Sequence, residues 1–392
     1  MADKAYITPN VLKWARESAK MPIEVAASKI PHLTVEKLKE WEEGIKRPTI
    51  KQAQTLAKVY KRPFALLFLP EIPGDFQPLQ DFRVKGAKDL STSSIFIIRE
   101  IQQKQSWLKE IFLENNADKL PFVGLFSMKD NPKVIAKNIL STLGIQPAKY
   151  ATENPIKEWI DAAERRGIFI SRTSFINSRL TLDLEELQGF AIADNYAPFI
   201  FINSDDWHAP QLFTLVHELA HIWIAESGIS NEIEVEFKNI ERYHPVELYC
   251  NEVAANALMP EKMIIDIGEN IYKNYKEVFK VARLFGVSTF ALLVRAYSLK
   301  LINGTVYYDL KSKAENEFEE YLKREAEKKE KNFLKDKPGG PSYYLLQLNR
   351  NGRLFTQTVL DAFRGGFIEP TTASSLLNVR NNKFHKLEAQ LY

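Results

Sequence analysis

The run His217-Glu218-Leu219-Ala220-His221 carries the most specific chemistry in the sequence. Two imidazoles at i and i+4 on a helix project from one face, a turn apart. That spacing lets one nitrogen from each reach a single zinc ion at about 2.0–2.1 Å. Glu218 lies between them, placed to take a proton from a water at an open coordination position and to pass it to a leaving amine. With 6 histidines in 392 residues, chance produces this arrangement in about one such chain in a hundred. Phe213, Leu215, Val216, Leu219, Ala220, Ile222, Trp223 and Ile224 surround the pair, so the helix is apolar nearly all round and is expected to be buried. The plainer alternative is a pair of core histidines satisfied by hydrogen bonds. A catalytic zinc site has three protein ligands and one open position. The third must come from downstream, where His244 and Glu247 both qualify and Glu252 qualifies less well; spacing alone leaves the choice open. Such a His-His-carboxylate set accommodates Mn2+ as well as Zn2+. His208, just ahead of the helix, reads as a surface or outlying residue.

The elements that must hold these residues follow from periodicity. Short β-branched and aromatic runs at Gly167–Ser171, Gly189–Asp194 and Pro198–Asn203 have strand signatures. Helical periodicity covers 95–116, 132–144, 154–166, 210–226, 244–258 and 274–300. Residues 80–305 are therefore expected to form an α+β unit with a small sheet. Ahead of it, residues 1–75 read as five short helices, broken by Met21-Pro22, Ile30-Pro31, Gly44 and Pro48. Ile72 to Asp75 and Pro78 form an irregular connection. Residues 311–337 are a charge run that reads as a solvated helical spacer, stopped by Pro338-Gly339-Gly340-Pro341. Residues 338–392 read as a small helical region closed in part by Gly365-Gly366, with Arg350, Arg353 and Arg364 on a solvated face. The fold class expected is α+β and predominantly helical.

Composition narrows the classes of function. Apolar residues are 45% and charged residues 26%, ordinary for a globular protein. One cysteine, Cys250, excludes an intramolecular disulfide and multi-Cys zinc sites, and it suggests a reducing compartment, hence the cytoplasm. The opening Met-Ala-Asp-Lys-Ala-Tyr lacks the apolar run of a signal peptide, and no stretch approaches about 18 apolar residues, so no membrane span is expected. Net charge is +3. Residues 1–75 hold 13 Lys/Arg against 9 Asp/Glu, so the positive excess lies in the first fifth of the chain.

Two stretches carry a family resemblance. Phe213-Thr-Leu-Val-His217-Glu-Leu-Ala-His221 and the later Glu247-Leu-Tyr-Cys250-Asn251-Glu-Val253-Ala254-Ala-Asn-Ala257-Leu258-Met259-Pro260 resemble the ImmA/IrrE family of metallopeptidases. Glu247, Asn251, Ala254 and Leu258-Met259-Pro260 match the family pattern; Cys250, Val253 and Ala257 depart from it in size on an apolar face. Asp81-Phe82-Arg83, the three strand-like runs, Val281 to Leu301 and Gly339-Gly-Pro-Ser-Tyr-Tyr344 are similar to further family segments. The resemblance implies a zincin-like fold, Glu247 as third zinc ligand, and cleavage of a regulatory protein such as a phage, mobile-element or stress-response repressor.

Residues 9–69 resemble an XRE-type, lambda-repressor-like helix-turn-helix domain, through Leu12-Lys-Trp-Ala-Arg16-Glu17, Leu38 to Gly44, Pro48 and Leu56-Ala57 to Tyr60. In such folds the second helix of the motif enters the major groove and nearby cations hold phosphates. Here that implies DNA contacts from Thr34, Lys37, Lys39, Lys46, Arg47 and Lys51, with double-stranded DNA as a candidate partner. The chemistry pulls both ways. The stretch Thr34 to Glu40 has two acidic residues and no Arg, Asn or Gln for a bidentate base contact. A fold of this type that docks a partner or covers the protease is the alternative. Three readings of the whole compete: a zinc endopeptidase acting on a regulator, a transcription regulator whose metal site is structural or sensory, and a toxin or defence component using the same site. An oligomer is compatible with all three.

Overall fold

The computed structural model describes residues 3–74, 79–83, 86–177, 180–230, 241–333 and 342–391. The Pro338–Pro341 stop, Asp75 and Pro78 lie outside them. The described chain is mostly helical with a small mixed sheet, the α+β class expected, and it divides into two compact units.

The first unit is built on residues 3–74, with 88–103 and 175–186 packed on them. Its helices are α1 (Pro9–Ser18), α2 (Ile23–Ser28), α3 (Val35–Glu42) and α4 (Ile50–Val59), followed by a 3-10 turn at Phe64–Phe68. The starts are written in the sequence: Pro9 opens α1, the Thr34 hydroxyl caps α3 by accepting from the Lys37 N–H, and Thr49 and Gln52 form a reciprocal capping box on α4. Val11, Leu12, Leu38, Trp41 and Leu56 meet in the core. Beside them Glu42 is buried and takes both forks of the Arg16 guanidinium, at 2.7 and 2.8 Å. The remaining elements of this unit are the first half of α5 (Thr92–Glu114) and a hairpin, for which the Glu186 carboxylate accepts from the Ser91 N–H and Ser94 hydroxyl.

The second unit holds a five-stranded sheet. Its strands are β1 (Gln80–Asp81), β2 (Phe169–Thr173), β5 (Gly189–Ile192), β6 (Phe199–Asn203) and β7 (Gly228–Ser230), in the order β1-β7-β5-β6-β2. The strands β3 (Phe175–Asn177) and β4 (Leu180–Thr181) are the hairpin of the first unit. Central β5 runs antiparallel to both neighbours, while β2–β6 and β1–β7 are parallel. In the chain α8 (His208–Trp223) lies between β6 and β7, and it packs on the sheet through β5 and β6. Helices α6 (Pro132–Leu143), α7 (Pro155–Glu164) and α9 (Pro245–Leu258) enclose α8 from other sides. Phe122, Ile139, Trp159, Leu215, Ile222, Trp223 and Val253 are among the side chains of this core.

After α10 (Glu261–Ile267), the span 274–300, read as helical throughout, is two helices: α11 (Tyr275–Phe285) and α12 (Thr289–Ser298). Gly286 ends the first at φ +71°, and the Ser288 hydroxyl caps the second by accepting from the Ala291 N–H. The charged run, as far as 333, belongs to α13 (Gly304–Phe333), whose first turns bury a stripe of Tyr307, Leu310 and Ala314; residues 334–337 of the run lie outside the described residues. The C-terminal helices are α14 (Tyr343–Asn351), α15 (Arg353–Arg364), α16 (Pro370–Leu377) and α17 (Phe384–Glu388). Of these α14 and α15 pack on β2, where the Ser171 hydroxyl donates to the Arg350 carbonyl at 2.5 Å. Gly352, at φ +85°, comes so close that a Cβ there would lie 2.2 Å from the Ile170 carbonyl oxygen. Arg350 is a correction to the sequence reading: it is buried, while Arg353 donates to the Leu391 carbonyl and Arg364 pairs with Glu388. A helical arginine with its stem on a packed face is buried by the neighbours that meet it, which charge patterning does not reveal. No described helix is long and apolar enough to cross a membrane.

Candidate metal centre

Helix α8 brings His217 and His221 to one face, and α9 lays Glu247 against them. His217 Nε2 is 3.1 Å from His221 Nε2 and 3.1 Å from Glu247 Oε2; His221 Nε2 is 3.2 Å from Glu247 Oε1. All three side chains are buried, and among the described residues this is the one group of His, Cys, Asp and Glu whose donor atoms converge within 4.8 Å. Glu218 is fully buried beside them, with no close hydrogen bond on either carboxyl oxygen and the Ser230 hydroxyl as a polar neighbour that works against the rise in its pKa.

Neighbouring residues fix the donors. Asn251, one turn after Glu247 on α9, faces His217 Nδ1 with its Oδ1 at 2.8 Å. With Nδ1–H donating there, the neutral ring turns its Nε2 lone pair toward the Glu247 carboxylate and the second imidazole. Three electron-rich atoms pointed at one another repel unless a proton or a cation sits among them. The donor set therefore suits a divalent metal ion. The Ser230 hydroxyl, on β7, donates to Glu247 Oε1 at 3.3 Å. The Phe82 ring stacks on His221, with centroids 5.6 Å apart. Gly189 on β5 lies directly over Glu218: a Cβ there would be 3.0 Å from Glu218 Oε1 and 2.7 Å from Thr214 Cγ2.

The electrostatics record the same crowding. Burial pushes the Glu218 carboxyl up to about 8; Glu247 adds to the rise and His217 opposes it. Glu247 goes the other way, to about 2, because the two imidazoles outweigh the desolvation that would raise it. Desolvation acts to lower His217, but Glu247 beside it holds the ring above its ordinary value. His221 is lowered by its burial, with His217 adding to the fall.

The other candidates fall outside this cluster. His244 is exposed; it caps α9 by accepting from the Val246 N–H and packs on Phe82. Glu252 and His208 are also exposed. Thr34, Lys37, Lys39, Lys46, Arg47 and Lys51 all lie on the surface of the first unit. The Thr34 hydroxyl is engaged as a cap, Lys46 pairs with Glu40 at 2.9 Å, and Arg47 lies over the Tyr6 ring. Sequence reasoning gave no role to Ser230, Phe82, Gly189 or Thr214. Asn251 was readable as a buried polar residue four positions after Glu247.

Residues 163–297 match the Peptidase_M78 family, the IrrE N-terminal-like domain. The matched span holds β2 to β7 and α8 to α11, with both histidines, Glu218 and Glu247 inside it. The match supports a metallo-endopeptidase of the ImmA/IrrE kind, for which a protein substrate and a metal cofactor follow. No curated protein matches the chain.

Proposed function

We propose that the chain is a zinc-dependent endopeptidase with His217, His221 and Glu247 as ligands and Glu218 as the general base, Mn2+ being the alternative ion. The observation that supports this best is Glu218 itself. A fully buried carboxyl group with no close hydrogen bond on either oxygen, beside three converging donors, is costly to fold and has no use in a structural site.

A divalent ion held by this set supplies Lewis acidity toward a carbonyl oxygen and makes water a stronger acid. The chain's own residues do the rest. Asn251 sets the His217 ring, Phe82 sets the plane of His221, and Ser230 holds one oxygen of Glu247. Held ionised by a cation beside it, a carboxylate oxygen of Glu218 would take the proton of the attacking water and return it to the departing amine nitrogen. The apolar wall around α8 keeps bulk water from the base and strengthens each of these interactions.

The substrate in this reading is another regulator, such as a transcriptional repressor, in stress response or mobile-element control. The buried lone Cys250 fits work in the reducing cytoplasm. The first unit is a helix-turn-helix module whose exposed cations hold DNA phosphate. Metal content of the purified chain tests the core of the proposal. About one zinc per chain is expected, lost in Glu247→Ala. Glu218→Gln is expected to keep the zinc and to cleave no substrate. A wild type that neither carries nor takes up zinc removes the peptidase reading, and hydrolysis by Glu218→Gln removes the base.

A further inference from the structure

A groove of about 1810 Å³ runs through the second unit between α8, α9, α11, α12 and α13. Its floor continues the faces that carry the metal donors. On α8, Phe213 and Thr214 lie one turn before His217, on the same side. On α9, Asn251 and Ala255 follow Glu247 at steps of four, and Met259 comes directly after the helix end. The groove is thus the next length of the same interhelical strip, and Asn251 belongs to both: it lines the groove and holds His217 at 2.8 Å.

The walls are apolar and open to solvent. Phe279 on α11 is 50% exposed, Phe318 on α13 41%, and Trp207, just ahead of α8, 43%. Trp207 and Phe318 meet edge to face across the groove, at 6.1 Å. Aromatic side chains left in water around a concavity mark a binding surface. One rim, on α11, carries Lys276 and Arg283, with Lys280 between them paired to Glu277 at 2.8 Å. Arg283 is 73% exposed and its nearest carboxylate, Glu153, is 3.9 Å away. A small ligand fills about 300–1,000 Å³; this groove is larger, with room for a segment of chain.

We infer that this groove binds the polypeptide to be cleaved, as an extended segment that sets a large apolar side chain between Phe279, Phe318 and Trp207 and acidic side chains along the α11 rim. The inference rests on the peptidase reading of the metal centre. Its test does not need hydrolysis. Two pools of fluorescently labelled random decapeptides, one with a fixed central Phe and neighbouring Glu, the other with Ser and Gln there, are titrated against the full-length Glu218→Gln chain by anisotropy. The Phe-Glu pool is expected to bind on the order of tenfold more tightly. That preference is expected to vanish in Phe279→Ala and Phe318→Ala, both surface positions, while zinc content stays as it was. Equal binding of the pools overturns the inference. So does a preference that survives both substitutions, or tighter binding of a random 20-nucleotide single strand that displaces the Phe-Glu pool. Selective peptide binding by a chain without zinc keeps the groove and removes the peptidase reading; zinc and hydrolysis without selectivity do the reverse.

Discussion

Asn251 holds the ring nitrogen of His217 that faces away from the other donors, so its loss leaves every ligand in place and frees one of them to turn. Asn251→Ala is expected to weaken zinc binding about 10–100-fold, the usual cost of losing such a partner. Competition with a chelating dye reads the change; an affinity equal to wild type removes the assigned role. At this scale legibility followed sequence distance. His217, Glu218 and His221 sit within five residues, and helix geometry alone puts them on one face. Glu247 was legible by resemblance only, since His244 fits the same spacing and is excluded by its outward position at the start of α9. Phe82 and Ser230 reach the centre through strands of two and three residues, too short to carry a pattern of their own.

Gly189 shows what an element contributes. It is the first residue of β5, its backbone is unstrained, and what it supplies is the absence of a side chain where the central strand crosses α8. Gly189→Ala drives a methyl into Thr214 and toward Glu218, an overpacking that costs about 1–3 kcal/mol. A fall in Tm and in hydrolysis is expected. Adding Thr214→Ser removes the closest clash, keeps the hydroxyl that bonds the Pro210 carbonyl, and is expected to recover part of the Tm. No recovery in the double variant means that the strain lies elsewhere. The helices were largely readable because caps and glycines punctuate them: Asn131 and Pro132 open α6, and Gly144 closes it at φ +70°. The sheet was half readable. The runs that became β2, β5 and β6 alternate or are wholly apolar, but their order and mixed directions depend on contacts between distant segments.

On the scale of the molecule, the charge and the chemistry separate. Residues 1–75 hold 13 Lys/Arg against 9 Asp/Glu, whereas the two buried imidazoles and the carboxylates gathered around them lie in the second unit. If Lys37, Lys39, Lys46, Arg47 and Lys51 grip phosphate, a mobility shift on random duplex DNA is expected at about 50 mM salt and is lost steeply by about 200 mM. No shift at the lower salt leaves the first unit a protein-docking module. The second unit also has an order of assembly. The Phe169 N–H donates to the Pro198 carbonyl, toward β6, so along the alternating strand the Ile170 carbonyl points to the outer edge of the sheet. Gly352 covers that edge, and Arg350 is tied to it across 179 residues of chain. A growing polypeptide therefore makes β2 long before it makes the segment that shields it. A chain stopped after α13 keeps the strand Phe169 to Thr173 as an open template, onto which a second copy can add its own strand. Such a truncated chain is expected to sediment as concentration-dependent oligomers where the full chain does not, so the C-terminal helices serve the nascent protein as a guard against its own siblings.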